Sequence, residues 1–124
     1  MDRKEKRAYR KMQRRHKKEL IKLVKADRPW DSCYLHTLVM TKIKHMYEYY
    51  SSGNNVWQTD ETRIPICVGL NHVLQLQNEI DTLYDDWYDC KRSVDEIIDI
   101  WKKESELYKS IYTFIGEHME EWWD

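Results

Sequence analysis

The sequence is poor in the residues that build loops and cross-links. Its 124 residues include only three glycines and two prolines. That content is too low for a loop-rich or all-β protein and favours a mainly helical one. The three cysteines, Cys33, Cys67 and Cys90, are odd in number and form no C-x-x-C pair. A disulfide framework is therefore not expected, and we expect the chain to reside in a reducing compartment.

Long apolar segments are also missing. The longest apolar run without a charge is 64–70, far short of the ~20 residues that a membrane-spanning helix needs. The sequence is charged from Asp2 onward and lacks the apolar stretch of a secretory signal. We therefore expect a cytoplasmic protein that makes no contact with a membrane.

Charge is abundant but unevenly distributed. Residues 1–28 contain 13 Lys or Arg against four acids, a net charge of +9, whereas residues 29–124 contain 8 basic against 18 acidic residues, a net charge of −10. This division predicts a basic helical arm over 1–28 and an acidic, single-domain body over 29–124. Such asymmetry points to an electrostatic partner for one of the two segments.

Apolar residues recur at helical spacing along most of the chain. The pattern predicts a first helix over about 3–26 and a second from the N-cap Asp31 to about Tyr50. A third helix is expected from near Thr62, with Pro65 in its first turn, where the missing N–H removes no hydrogen bond.

A capping-box spacing of Ser93 and Glu96 predicts the start of a fourth helix. Its single apolar face is expected to comprise Val94, Ile97, Ile98, Trp101, Tyr108, Ile111, Tyr112, Ile115, Met119 and Trp122. The predicted fold is all-α, an up-and-down bundle of three to four helices. Like charges surround most of the first helix, so we expect residues 1–15 to project from the body or stay frayed until a partner screens them.

The segment Trp30–Leu38, followed by Lys42, Met46 and Tyr49-Tyr50, carries a W-D-x-x-Y-L start and a K-x-x-x-M-x-x-Y helix. In this it resembles small helical proteins encoded by tailed phages, over roughly residues 29–84. The resemblance implies a viral origin and action in the cytoplasm of the infected host. It implies no catalytic residues.

The basic segment is the leading candidate for function. A helix of this kind can lie along a phosphate backbone and gain affinity through counterion release, without reading sequence. The predicted nucleic-acid-binding residues are Arg3, Lys4, Lys6, Arg7, Arg10, Lys11, Arg14, Arg15, Lys17 and Lys18. The alternatives are a solvated tail or an arm that pairs with an acidic protein surface.

Acidic and aromatic residues of the body provide a second set of candidates. The acids Asp85, Asp86, Asp89, Asp95, Glu96 and Asp99 could mimic nucleic acid if the protein is an anti-defence inhibitor that binds a host immune protein. A further alternative is a structural component of the virion. Trp57 lies in a predicted loop, where aromatic residues often dock against partners.

Two adjacent tryptophans, Trp122 and Trp123, stand near the end of the sequence. Neighbouring residues of a helix point ~100° apart, so both cannot face one core. One of them is expected to be exposed, where it could anchor a partner chain or a second copy in a homo-oligomer. The alternative is that both serve packing at the end of the helix.

Metal and catalytic sites receive little support from the sequence. Cys33 and His36 have ligand spacing, but Cys67 and His72 would diverge on a helix. The acids at 85–99 lack the second E-x-x-E step of all-α magnesium-dependent nucleotide hydrolases. No nucleophile motif or phosphate-binding glycine loop is present. We predict no metal, no cofactor and no enzymatic activity.

Overall fold

The structure, a computed structural model, describes residues 2–28, 30–53, 57–85 and 92–124. Of these described residues 84% are helical and none lies in a strand. The elements are α1 (Arg3–Ala26), α2 (Ser32–Ser51), α3 (Asp60–Thr82), α4 (Val94–His118) and a final 3-10 turn (Met119–Glu121). The predicted all-α class is confirmed.

Local capping chemistry fixes where the helices begin. The Asp31 carboxylate accepts a hydrogen bond from the Cys33 N–H at 2.9 Å, and the Ser93 hydroxyl accepts one from the Glu96 N–H at 3.2 Å. Each side chain thereby satisfies a backbone donor that has no partner within its helix. Both predicted N-caps are confirmed.

One predicted boundary differs from the structure. Helix α3 begins at Asp60, so Pro65 lies in its second turn and not its first. The Thr59 carbonyl accepts hydrogen bonds from the Thr62 and Arg63 N–H groups, and this adds a turn ahead of the expected start. At the end of α2, Gly53 adopts a left-handed φ of 75°, which glycine adopts without steric cost.

The chain divides into two compact units within α3, at Leu70 and Asn71. The first unit contains the residues up to Leu70 together with Asp124. In it α1 and α2 run antiparallel, because Tyr9 contacts Tyr49 while Glu19 contacts His45. The predicted division at residue 28, between a basic arm and an acidic body, stays a prediction.

The second unit, Asn71–Trp123, pairs the later part of α3 with α4. The Tyr84 hydroxyl donates to Glu104, and the His72 ring lies 4.7 Å from Phe114. Contacts in this order mean that the two helices are antiparallel, as an up-and-down arrangement requires. Its most buried side chains include Val73 and Ile111.

Helix α4 differs from the prediction in the width of its buried side. Ile111 is buried as predicted, and so is Leu107, which the predicted face omitted. Val94, Trp101 and Met119 from that face are exposed. The single face therefore separates into a buried side and an exposed stripe.

The predicted projection of the basic helix is not confirmed, because α1 contacts α2 from Tyr9 onward. Among the residues that the structure describes, no helix is long and apolar enough to cross a membrane.

Candidate polyanion-binding surface

A capping box opens α1. The Asp2 carboxylate accepts a hydrogen bond from the Glu5 N–H at 2.8 Å, and the Glu5 carboxylate accepts one from the Asp2 N–H at 2.7 Å. This reciprocal pair holds the first turn of a helix whose like charges would otherwise favour fraying. It also occupies two of the few acids of the basic segment.

One side of α1 faces α2. Met12 is buried, and the rings of Tyr9 and Tyr49 lie 6.0 Å apart between centroids. The spacing of the residues on this side, Tyr9, Met12, His16, Leu20 and Leu23, brings them onto a single helical stripe. This row contains few large apolar residues, but it determines which side of α1 packs against α2.

A pair of histidines and a pair of glutamates form the polar centre of the contact. The rings of His16 and His45 stack at 3.8 Å between centroids with only 9° between their planes. His16 Nε2 lies 2.9 Å from a Glu48 carboxylate oxygen, and His45 Nε2 lies 2.7 Å from a Glu19 carboxylate oxygen. His45 is almost fully buried, and the carboxylate satisfies a polar atom that would be costly to leave unpaired.

These contacts lower the pKa of both carboxyl groups. The hydrogen bond with His16, followed by that with Arg15, lowers the pKa of Glu48. The hydrogen bond with His45 lowers the pKa of Glu19. Arg15 is thus engaged with the α2 side through Glu48, and it is the least available of the ten predicted nucleic-acid-binding residues.

On the opposite side of α1 lies a continuous row of cations, which we call the basic stripe. Its members recur every three or four residues and are all exposed: Arg3, Arg7, Lys11, Arg14, Lys18, Lys22 and Lys25. At 1.5 Å per residue the stripe is about 33 Å long. The two acids within α1, Glu5 and Glu19, fall on the side that faces α2.

Sequence reasoning found five of the seven members of the basic stripe and missed Lys22 and Lys25. The signal was available, since both continue the three- or four-residue spacing from Lys18. The other predicted cations, Lys4, Lys6, Arg10 and Lys17, are exposed along its flanks.

An aromatic surface follows the carboxyl end of α1. The Arg28 guanidinium lies 5.8 Å from the Trp30 ring centroid and 5.9 Å from that of Tyr34. A groove of about 370 Å³ next to them is lined by Leu35 and Leu38 as well. An exposed indole beside a cation is a surface on which a nucleobase can stack.

The other predicted tryptophans lie in different environments. Trp122 is 8% exposed and Trp123 is 60% exposed, which confirms that only one of the two faces a core. Trp57 is exposed, and its backbone N–H donates to the Asp124 carboxylate, which also accepts from the Gln58 N–H at 2.9 Å. The Tyr49 hydroxyl donates to the same carboxylate, and Asp124 thus ties the Trp57 segment to α2.

The acidic candidates are only partly placed. Asp85, Asp95, Glu96 and Asp99 are exposed, whereas Asp86 and Asp89 lie outside the described residues. Within the described ranges, no group of three or more His, Cys, Asp or Glu side chains could hold a metal ion. Cys33 and Cys67 are free thiols, and Cys90 falls outside those ranges.

Comparisons with known protein families, with curated proteins and with solved structures find no match to this chain. The resemblance to small tailed-phage proteins stays a prediction.

Proposed function

We propose that this chain is a non-enzymatic binding protein that engages nucleic acid, or a similar polyanion, through the basic stripe of α1. The observation that carries the proposal is the alignment of seven exposed cations on the side of the helix that faces away from α2. If the cations were distributed at random they would lie on all sides of α1. Those on the side that faces α2 would then be covered and could not contact a ligand.

The dimensions of the stripe suit a phosphate backbone. Its length of about 33 Å is close to one turn of duplex DNA, which rises ~34–36 Å. Lys and Arg side chains displace the counterions condensed on the phosphates, and this release supplies affinity that falls steeply with salt. Contacts of this kind position a protein on the backbone and carry no sequence information.

Attachment of α1 to α2 supports the proposal energetically. Met12 and the stacked His16 and His45 hold the helix before any ligand arrives. A helix that is already ordered loses less conformational freedom on binding than a frayed one. The exposed Trp30 beside Arg28 would add stacking to an unpaired base, so single-stranded DNA is included in the test below.

The test is a salt titration of binding to labelled duplex and single-stranded DNA. One variant replaces four members of the basic stripe with glutamine: Arg7→Gln, Lys11→Gln, Arg14→Gln and Lys18→Gln. If all four contact phosphates of the duplex, the log–log slope should become shallower by roughly 3–4. The native chain should show the steeper slope on the same DNA.

A matched control removes four exposed lysines outside α1: Lys42→Gln, Lys44→Gln, Lys102→Gln and Lys103→Gln. It changes the net charge by the same amount and should keep the native slope. Equal weakening by both sets would show that only total charge matters and would refute a defined stripe. A native chain that fails to bind even at low salt would refute the proposal and direct attention to the exposed acids of the body.

A further inference from the structure

Helix α4 presents a second apolar surface that the proposed function does not use. A row of residues at alternating steps of four and three runs along α4 into the following turn, and we call it the α4 stripe: Val94, Ile98, Trp101, Ser105, Tyr108, Tyr112, Ile115 and Met119. Six of them are exposed, and Tyr108 and Ile115 are half-buried. Val94 and Trp101 are 72% and 59% exposed. The buried Leu107 and Ile111 lie outside this row.

The spacing is that of a coiled-coil seam. Alternating steps of four and three place apolar residues at the a and d positions of a heptad, where they pack against a facing helix. Ile98, Ser105, Tyr112 and Met119 take the a positions, and the rest of the α4 stripe takes the d positions. Four consecutive a positions and four d positions extend the seam over all of α4 and the following turn.

The middle of the α4 stripe contains a recess. Ser105 is small and stands between the larger Trp101 and Tyr108, and the groove above it has a volume of about 390 Å³. Glu104 and Lys109 complete its lining, from opposite edges of the seam. In the heptad, Glu104 occupies a g position and Lys109 occupies the e position five residues later.

We propose that α4 is a self-association surface, and that a second copy of this chain pairs along the α4 stripe in a parallel, in-register coiled coil. The charges at the edges favour this occupant and this direction. In a parallel pair each Glu104 faces Lys109 of the partner subunit, so two opposite-charge contacts form. In an antiparallel pair e positions face each other, which brings Lys102 toward the partner's Lys109 and is repulsive.

Glu104 already has a contact within its own unit, since it accepts a hydrogen bond from the Tyr84 hydroxyl. This bond raises the pKa of Tyr84 to about 12 and holds the carboxylate at the edge of the groove. A carboxylate has acceptor sites to spare, so it can receive a lysine from a second copy as well. The pairing therefore needs no rearrangement of this residue.

Sedimentation velocity over a range of concentrations measures the association. The native chain should form a dimer, and Trp101→Glu should weaken dimerisation at least tenfold, as expected for a central aromatic anchor. The matched control is Trp57→Glu, which alters an even more exposed indole outside α4 and should leave the dimer unchanged. A native chain that is monomeric up to about 100 μM would overturn the proposal.

Charge variants test the direction of pairing. Lys109→Glu places like charges opposite each other and should weaken the dimer by roughly three- to tenfold. Adding Glu104→Lys to the same chain reverses both charges and should restore most of that loss. Circular dichroism of the double variant, in which Glu104 is replaced, shows whether the loss of the Tyr84 contact alters the fold. A folded double variant no tighter than Lys109→Glu alone would overturn the charge pairing.

A Ser105→Cys variant tests the register. In a parallel, in-register pair the two introduced thiols face each other across the seam and should form an intermolecular disulfide under mild oxidation. The native chain, with its own cysteines, is the control for unrelated cross-links. A dimer in which Ser105→Cys cross-links no more than the native chain would overturn the parallel arrangement.

Discussion

Helices α1 and α4 are built on the same plan and differ in the chemistry of their exposed sides. They contain 24 and 25 residues, and each packs one side against an antiparallel neighbour within its unit. Each also exposes a row of residues at three- or four-residue spacing. The row is cationic on α1 and mainly apolar on α4.

This difference separates the partners that the two helices can recruit. A row of cations repels a second copy of itself and attracts a polyanion. An apolar row at coiled-coil spacing gains free energy when it is covered, and a second copy supplies a matching row. Both rows lie on α-helices, so the side chains and not the backbone decide which kind of partner each helix would favour.

The two helices also differ in how they are held. The polar contacts of α1 centre on two histidine–glutamate pairs and Arg15. Helix α4 is held through buried aliphatic side chains, with Ile111 fully enclosed. We therefore expect core substitutions to have the largest effects in α4, and pH to act mainly through α1.

The largest expected effect is on stability, when an isoleucine on the buried side of α4 is shortened to alanine. The same change on the exposed side is the comparison. Ile111→Ala should lower the free energy of unfolding by about 2–5 kcal/mol, because it leaves a cavity in a closely packed site. Ile98→Ala removes the same atoms from a residue that is 39% exposed, so it should cost less than about 1.5 kcal/mol. Urea unfolding at a concentration where the chain is monomeric measures both.

In an association assay the two isoleucine variants should rank in the opposite order of effect. Ile98→Ala should weaken the dimer, because Ile98 lies in the α4 stripe, whereas a folded Ile111→Ala chain should keep its affinity. Equal losses of unfolding free energy for the two variants would contradict the division of α4 into a buried and an exposed side.

Much of this division lies beyond what the sequence could predict. Periodicity placed Ile111 on the buried side of α4, but it left out the buried Leu107 and could not show that Val94, Trp101 and Met119 are exposed. The width of an apolar face reflects every neighbour it meets, including partner chains, and the sequence of one chain does not say which neighbour covers which part. Helix ends were more predictable, because caps such as Asp31 and Ser93 act locally.

The contacts of residues 9–15 with α2 were missed for a related reason. They join residues 40 and 33 positions apart, Tyr9 with Tyr49 and Arg15 with Glu48, and no local pattern in the sequence connects such distant positions. Dense positive charge suggested a projecting arm, because local repulsion is visible in sequence and a distant carboxylate is not. The cations of the basic stripe were predictable because solvent exposure follows directly from charge.

An intermediate effect is expected from the helix caps. Ser93→Ala removes the hydroxyl that caps α4 and should cost about 1 kcal/mol of global stability. Asp2→Ala removes the corresponding cap of α1, but the exposed first turn can fray while the rest stays folded, so the global cost should be smaller. Urea unfolding compares the two, and amide exchange should show faster opening confined to the start of α1 in Asp2→Ala. Equal global costs would mean that both helix starts are coupled to the whole fold.

The smallest effect concerns pH and the attachment of α1. Contacts with His16 and Arg15 hold the pKa of Glu48 below its ordinary value of 4.5. The ionised carboxylate therefore stabilises the folded state above 4.5, and this contribution is lost as the pH falls from that value through the lowered pKa of the folded chain. Glu48→Gln should reduce stability at neutral pH by less than about 1 kcal/mol, because the side chain is 41% exposed.

The difference in stability between the native chain and Glu48→Gln should shrink as the pH is lowered from about 5 to 3, because protonation then removes the native charge as well. Thermal unfolding across this range measures the difference. Glu106→Gln makes the same substitution at an exposed position of α4 and should leave the pH dependence near that of the native chain. If both variants changed the pH dependence of stability equally, that dependence would reflect net charge alone. The proposed contrast between a charge-dependent attachment of α1 and an apolar core at α4 would then fail.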